Sequence, residues 1–128
     1  MIPYHSASMK FDIAKETFLE GLQKVQSVVS ARTTLPILSN VLLEAEGSSL
    51  RLTTTDLDVG VSGEVPANVA KSGSTTLPAR RLATIVRELP TENVTVSVDS
   101  KNVATITSGP SRFKILGLSD DEYPELPD

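Results

Sequence analysis

The sequence has 128 residues, of which 39% are hydrophobic and 22% are charged, and this is the size and composition of one globular domain. It contains no cysteine, which excludes disulfides, thiol catalysis and cysteine-ligated metals and favours a reducing cytoplasm. No apolar run approaches the roughly 18 residues that a membrane-spanning helix needs.

The net charge of −4 argues against nucleic-acid binding, but the acidic residues are unevenly distributed. Five of the 16 acidic residues lie among the last nine positions, so the rest of the chain carries 12 basic and 11 acidic residues, a net charge of +1. Because this body is nearly neutral, a basic surface can arise only if cations are placed on one face.

The first predicted elements are a strand and a helix. Residues 1–8 show no periodicity and precede a second methionine, so we expect a disordered leader or added residues, and we exclude His5, the one histidine, from any site. Lys10 to Ala14 has the pattern of a short strand. Lys15 to Ser30 carries apolar residues at helical spacing, namely Phe18, Leu22, Val25 and Val29.

The segment Thr34 to Ala45 connects this helix to a sheet. Pro36 lacks an amide hydrogen and has a fixed φ, so it ends helical structure, and the apolar sequence after Ile37 favours a strand. Turn residues separate the strands that follow, and residues 67–73 are expected to form a loop. The three predicted strands are Val41 to Ala45, Leu50 to Thr55 and Val59 to Val65.

The same order of elements then repeats. Thr75 to Leu77 predicts a strand, and Ala79 to Leu89 predicts a helix that Pro90 ends. Apolar residues of the two helices are separated by a constant offset of 64 positions, as between Phe18 and Leu82. The last three predicted strands are Val94 to Val98, Val103 to Ser108 and Arg112 to Leu116.

These patterns predict an α+β fold with about eight strands and two helices. A unit of one strand, one helix and three strands occurs twice, so the order of elements is duplicated within the chain. The amino-acid residues of the two halves are nevertheless dissimilar. We expect the two helices to pack on one side of antiparallel sheets.

The second helix offers a candidate anion-binding face. With about 3.6 residues per turn, Arg80, Thr84 and Arg87 lie opposite the apolar stripe, and Arg81 lies on its flank. Exposed arginines can bind phosphate through charge-assisted hydrogen bonds, although a solvated face without a ligand explains the same pattern. The first helix argues against DNA contact, because its outward positions are mixed: Glu16, Glu20, Gln23 and Ser27, with Lys24 at one side.

Two pairs of carboxylates have a spacing that would suit a cation site. Asp56 and Asp58 would project to one side of an extended segment, as would Glu44 and Glu46. A role in the turns between strands is the preferred explanation for both pairs. Nothing else in the sequence combines a nucleophile with a base, so we predict no catalytic residue, no metal site and no cofactor.

The last predicted strand is a candidate sheet edge. Phe113 and Ile115 are expected on one side of it, and Arg112 and Lys114 on the other. An exposed edge with this alternation can pair with another chain. The alternative is that Phe113 is an ordinary core residue.

Five stretches together carry a resemblance to a known family. They are Met9 to Phe11, Thr34 to Ala45 (TLPILSNVLLEA), Leu77 to Pro90 (LPARRLATIVRELP), Ser108 to Pro124 (SGPSRFKILGLSDDEYP) and, more weakly, Leu52 to Asp58 (LTTTDLD). In this order they resemble the first domain of the bacterial sliding clamps, the β subunits of DNA polymerase III. The resemblance covers residues 9–128 without large gaps, so we expect one clamp domain over this range.

The resemblance implies a ring of two subunits, each with three domains of this fold, which close head to tail around duplex DNA. Helices would line the hole, and the clamp would tether the polymerase without chemistry of its own, in the bacterial cytoplasm at the nucleoid. The positions that it places at the DNA are Arg32, Arg80, Arg81 and Arg87, to which we add Lys24. Those that it places at the subunit interface are Arg112, Phe113 and Ile115.

Two departures from the family pattern affect these expectations. Pro110 stands where family members often carry a basic residue, which puts one interface ion pair in doubt. The chain also stops at Asp128, at what resembles the linker to a second domain, so we expect an excised domain that lacks the pocket for polymerase and clamp-loader peptides.

The alternative function is a stand-alone protein-interaction module that uses the last strand as an edge without DNA contact. A third possibility, an enzyme with paired carboxylates, is disfavoured.

Overall fold

The computed structural model of the protein describes residues 8–26, 39–55 and 60–119. In these ranges the chain forms two helices and nine strands, arranged as two antiparallel sheets. Neither helix in this part of the chain is long and apolar enough to cross a membrane. The N-terminal leader, Arg32, the pair Asp56 and Asp58, and the acidic segment after Ser119 lie outside the described residues.

The first half of the fold follows the predicted order of elements. Alternate residues of β1 are buried, as expected where one face of a strand packs on a core. The helix α1 buries Phe18, Leu22 and Val25, the stripe that their spacing predicts. The elements are β1 (Met9–Ala14), α1 (Lys15–Gln26), β2 (Asn40–Glu46), β3 (Ser49–Thr55) and β4 (Gly60–Pro66).

One strand between the two repeated units is not revealed by the sequence pattern. The prediction of a loop over residues 67–73 is wrong, because residues 68–71 form β5, an edge strand paired with β1. This strand has only four residues and depends on a distant partner, with Val69 opposite Phe11. The elements are β5 (Asn68–Lys71), β6 (Gly73–Pro78), α2 (Ala79–Arg87), β7 (Asn93–Val98), β8 (Val103–Ser108) and β9 (Ser111–Leu116).

The two halves of the chain exchange their first strands. The five-stranded sheet has the order β5-β1-β7-β8-β9, and the four-stranded sheet has the order β4-β3-β2-β6. Thus β1 from the first half pairs with β7 from the second, and β6 from the second pairs with β2 from the first. The duplication is therefore visible in the topology, but each half completes its sheet only with the first strand of the other half.

The constant offset between the halves holds for only part of the repeat. The strands β1 and β6 begin 64 residues apart, as do α1 and α2, whereas β2 and β7 begin 53 residues apart. The change arises because residues 27–39 connect α1 to β2 whereas only residues 88–92 connect α2 to β7, and because α1 has 12 residues whereas α2 has nine. The longer connection includes Arg32 and the proline segment.

The helices lie side by side over the four-stranded sheet, α1 against β3 and β4 and α2 against β2 and β6. The core between helices and sheets is aliphatic, as the scarcity of aromatic residues predicts. Its two buried aromatic rings, Phe11 of β1 and Phe18 of α1, meet edge to face with centroids 6.0 Å apart. This packing places both helices on one side of an antiparallel sheet, as predicted.

The two sheets are joined where the chain leaves β9. Leu118 forms a two-way backbone pair with Thr76 of β6, with N···O distances of 3.1 and 3.0 Å. Asn102, at φ 64°, accepts hydrogen bonds from the Gly117 N–H at 2.8 Å and from the Thr75 hydroxyl at 2.7 Å. We call these five residues the sheet junction. Its glycine is required, because a Cβ at Gly117 would lie 2.3 Å from the Thr76 carbonyl oxygen.

Candidate nucleic-acid interface

The outward face of α2 carries three of the predicted arginines. Arg80, Arg81 and Arg87 are exposed, and Thr84 between them is exposed as well. The opposite face is buried against the sheet, which confirms the placement that the helical period predicts for these side chains. Its fully buried residues are Ala79, Leu82, Ala83 and Val86.

The beginning of α2 contains two exposed arginines and no acidic residue. Pro78 precedes the helix and offers no side-chain cap, and the first turn contains no acidic residue. The unpaired N–H groups of a first helical turn already carry partial positive charge, and Arg80 and Arg81 add two full charges there. Positive charge at this end of the dipole slightly lowers the stability of the helix, but it favours binding of an anion there.

Hydrogen bonds hold the start of α1 against the end of α2. The Lys15 ammonium donates to the carbonyl oxygen of Leu89 at 2.8 Å, and the Lys15 N–H donates to the carbonyl oxygen of Glu92 at 2.7 Å. The Glu92 carboxylate accepts a further hydrogen bond from the N–H of Glu16 at 3.3 Å. The Lys15 side chain therefore binds a carbonyl just after the end of α2, and Glu92, directly before β7, caps the start of α1.

The opposite ends of the two helices meet at the other end of the sheet. The Thr54 hydroxyl donates to the carbonyl oxygen of Val25, near the end of α1. Thr53 and Thr76 are both in register with Leu42 of β2, so the end of α1 and the start of α2 lie over the same end of the four-stranded sheet. The helices are therefore antiparallel neighbours.

This arrangement brings one more predicted cation toward the arginines. Lys24 is exposed in the last turn of α1, at the same end of the sheet as Arg80 and Arg81. Arg87 lies roughly 10 Å further along α2, at a rise of about 1.5 Å per residue. Arg32, the fifth residue predicted at DNA, lies outside the described residues.

The face of α1 is mixed, as predicted. Glu16 and Glu20 are exposed on it, together with Gln23. These carboxylates repel a phosphate backbone, so the helix pair presents cations at one end and anions along α1. The helix pair therefore carries both signs of charge and is not uniformly basic.

The strand β9 forms an edge of the five-stranded sheet. Arg112 is exposed on it and Phe113 is 37% exposed, so the interpretation of Phe113 as an ordinary core residue is wrong. Ile115 is only 2% exposed, so its side chain belongs to the core and only its backbone lies at the edge. Sequence reasoning missed Leu116 and Leu118, which are 71% and 36% exposed. The signal available for them was the Leu-Gly-Leu sequence that follows Ile115.

A tight hairpin positions this edge strand. Ser108 and Ser111 are paired in register across the turn, and Gly109 adopts φ 55° there. The Ser108 hydroxyl accepts a hydrogen bond from the Thr91 N–H at 3.1 Å and donates to the Thr91 carbonyl oxygen at 3.2 Å. Pro110 lies in the turn itself, beside Gly109.

The carboxylates of the four-stranded sheet lie on its strands and form no metal centre. Glu44 is exposed within β2, so the turn explanation is wrong for it, whereas Glu46 ends β2 and is paired with Ser49 across the Gly47-Ser48 turn. Arg51 of β3 is in register with Glu44 on one side and Glu64 on the other, which forms a charge ladder across three strands. Among the described residues, no three His, Cys, Asp or Glu side chains are placed to hold a metal ion.

Two antiparallel sheets built from a repeated unit, with two neighbouring helices on one side, define the DNA-clamp class of α+β folds. The chain matches the family described as DNA polymerase III beta subunit, N-terminal domain, over residues 9–127. It belongs to this family.

Characterised relatives agree with this assignment. The beta sliding clamp of Chlamydia muridarum is 42% identical over 120 residues, which covers 94% of this chain and 33% of that protein. The beta sliding clamp of Bacillus subtilis is 35% identical over 127 residues, which covers 93% of this chain and 34% of that protein. The chain therefore spans about a third of the length of these relatives.

Solved structures show the same fold. The crystal structure of the DNA polymerase sliding clamp from Bacillus subtilis matches with a TM-score of 0.91 at 34% identity, covering 94% of this chain and 34% of that chain. The sliding clamp from Caulobacter crescentus matches with a TM-score of 0.90 at 40% identity. The match covers 94% of this chain and 33% of that chain. The chain is an N-terminal domain of this clamp fold.

Proposed function

We propose that this domain is one segment of a ring that encircles duplex DNA and tethers a DNA polymerase for processive synthesis. The observation that carries the proposal is the outward face of α2, where Arg80, Arg81 and Arg87 are exposed. Two of these arginines lie in the first turn of the helix, where the helix dipole also favours an anion.

The proposed contact is with phosphates and not with bases. A clamp must hold DNA and still slide along it, which requires contacts that are indifferent to sequence and easily exchanged. A small number of arginines beside Glu16 and Glu20 meets this requirement, because the carboxylates oppose tight binding. In this proposal the domain places arginine side chains beside the DNA backbone, and we assign it no catalytic step.

The proposed ring is a head-to-tail dimer of a longer chain, located in the bacterial cytoplasm at the nucleoid. The β9 edge, with Arg112 and Phe113 exposed, is the surface that we assign to the neighbouring subunit. Ile115 would contribute through its backbone, since its side chain is buried. We assign the polymerase and the clamp loader to further domains of that longer chain.

Binding of a labelled duplex to this chain, followed by fluorescence anisotropy across a salt series, tests the DNA contact. We expect weak binding at low salt that is lost at physiological salt, because one domain makes few phosphate contacts and lacks topological linkage. Changing both Arg80→Ala and Arg87→Ala should reduce the slope of log affinity against log salt by about 2.

The control is Arg51→Ala, which removes one exposed arginine from the four-stranded sheet and is compared with the single variant Arg80→Ala. It should leave both the affinity and the salt slope unchanged. A tight, sequence-specific complex would contradict a sliding contact, and so would an equal loss of affinity in the control.

The second candidate function is a protein-interaction module that uses the β9 edge without DNA. It is favoured by the exposure of Phe113 and Leu116, which are apolar and lie on an edge strand. Analytical ultracentrifugation with a protein containing the second and third clamp domains tests the edge. We expect association that Phe113→Ala or Arg112→Glu abolishes, while Arg51→Glu, an equal change of charge elsewhere, leaves it intact.

A further inference from the structure

The two sheets carry opposite charge. The five strands of the larger sheet contain four cationic residues and one carboxylate, Asp12, whereas the four strands of the smaller sheet contain three glutamates and one arginine. The carboxylate of Asp12 accepts a hydrogen bond from the Thr95 hydroxyl and lies within the sheet face. In a chain with a net charge of −4, this separation produces one distinctly basic sheet surface.

The cations of the larger sheet are arranged in a row across its strands. Lys71 is in register with Lys10, Lys10 with Ser97, Ser97 with Thr105, and Thr105 with Lys114. We call this the lysine row; it crosses all five strands and consists of Lys71, Lys10, Ser97, Thr105 and Lys114. Its three lysines are exposed, and the buried neighbours Phe11, Val96 and Val98 show that the row faces away from the core.

One part of this row is electrostatically unfavourable. Lys10 and Lys71 are paired on neighbouring strands at a shift in the register of β1 and β5, and like charges on paired strands destabilise a sheet. The next residues in register, Ser97 and Thr105, supply hydroxyl groups and no negative charge. Asp99 lies near Lys114, and its carboxylate is already occupied by the N–H groups of Val103 and Lys101.

We propose that the lysine row is a docking surface for an extended acidic peptide segment of a partner protein. Strands are spaced by about 4.8 Å, so the row is roughly 19 Å long, which matches about six residues of extended chain. Carboxylates of such a segment would pair with the lysines at both ends, and the central hydroxyls would donate hydrogen bonds to it. The positive charge of the lysine row thus favours a negatively charged peptide.

A peptide fits this surface better than a nucleic acid does. Binding of single strands relies on aromatic side chains on which bases stack. The row offers none on its own face, because Phe11 is buried in the core and Phe113 lies on the same side of β9 as the buried Ile115. The row also lies on the sheet face that points away from the core, whereas the proposed DNA contact is on α2. The proposal is therefore independent of DNA binding and can fail without affecting it.

A labelled peptide of about six glutamates, titrated with this chain at low salt, tests the proposal by fluorescence anisotropy. Exposed ion pairs are individually weak, so we expect weak, salt-sensitive binding and a loss of about tenfold or more in the double variant Lys10→Glu, Lys114→Glu. Amide chemical shifts should change at Ser97 and Thr105. The milder double variant Lys10→Gln, Lys114→Gln should show a smaller loss and guards against misfolding.

The matched control is the double variant Lys24→Glu, Arg51→Glu, which makes the same total change of charge on α1 and on the four-stranded sheet and should leave peptide binding unchanged. An equal loss in this control would overturn the proposal, because it would indicate attraction by overall charge alone. Tighter binding of a single-stranded oligonucleotide of equal charge would also overturn it, as would shift changes confined to α2.

Discussion

Gly117 occupies a position in the sheet junction where a side chain has no space. A Cβ there would lie 2.3 Å from the carbonyl oxygen of Thr76 and 2.9 Å from that of Asn102. Both of these atoms belong to the backbone, so they can move only if the sheets move. We expect Gly117→Ala to lower the free energy of unfolding by about 2 kcal/mol, measured by urea denaturation.

Gly63 provides the matched control for this substitution. It lies in β4, and a Cβ built there meets nothing within 4 Å. Gly63→Ala should therefore change stability by less than about 1 kcal/mol. Equal losses in the two variants would show that the close approach at Gly117 is not the cause.

At the scale of residues, the sequence predicts the conformation that a residue tolerates better than it predicts which residues lie next to it in the fold. Asparagine is a residue that tolerates positive φ, as Asn102 does, but its partner Thr75 is 27 residues away and no local pattern identifies it. Alternation correctly places Phe113 and Ile115 on one side of β9. It does not reveal that one is 37% and the other 2% exposed, because that difference depends on which neighbours cover each side chain.

At the scale of elements, α2 combines two arginines at its start with one in its last turn, and these ends have opposite effects on helix stability. We expect Arg80→Glu to increase the free energy of unfolding by about 1 kcal/mol, because it replaces a cation with an anion at the positive end of the dipole. We expect Arg87→Glu to decrease it by a similar amount, because it places an anion at the negative end.

Both variants should nevertheless weaken DNA binding. Urea denaturation and duplex anisotropy on the same samples separate the two effects, since stability should change in opposite directions while affinity falls in both. If affinity followed stability instead, the arginines would act on DNA only through the folding of the helix. Loss of affinity in the more stable variant is the distinguishing result.

The helices were the most predictable elements because their information is local. Apolar spacing predicts which faces of α1 and α2 are buried, and the structure confirms both. The strand β5 was not predictable, because its four residues have no apolar alternation and pair with a strand more than 50 residues earlier. The strand β5 forms because it can pair with the edge of β1 that β7 does not occupy.

At the scale of the whole molecule, the exchange of first strands makes the two halves dependent on each other. We expect fragments 1–71 and 73–128 to be unfolded separately, because β1 lacks β7 in one and β6 lacks β2 in the other. Mixing them should restore a folded complex, measured by circular dichroism and cooperative thermal unfolding.

A variant of the second fragment with Val96→Asp provides the control. Val96 is fully buried and opposite Phe11, so a carboxylate there should prevent the fragments from combining. Cooperative unfolding of either fragment alone would contradict the mutual dependence of the halves.

The repeated order of elements was visible in the sequence, but the exchange of strands was not. Both a separate pairing within each half and an exchanged pairing satisfy the same order of strand, helix and three strands. The choice between them depends on packing of residues such as Phe11 and Val96 across the molecule, which periodicity does not encode.

The distance between exchanged strands also affects how a newly made chain reaches its fold. The residues of β1 pair with those of β7 about 80 positions later, as in the pair Ala14 and Asn93. At about 5–20 residues per second, a ribosome needs roughly 4–16 s to synthesise that interval. During this time β1 has left the ribosome without its central partner, and β5, which is synthesised earlier than β7, is the first strand that can shield it.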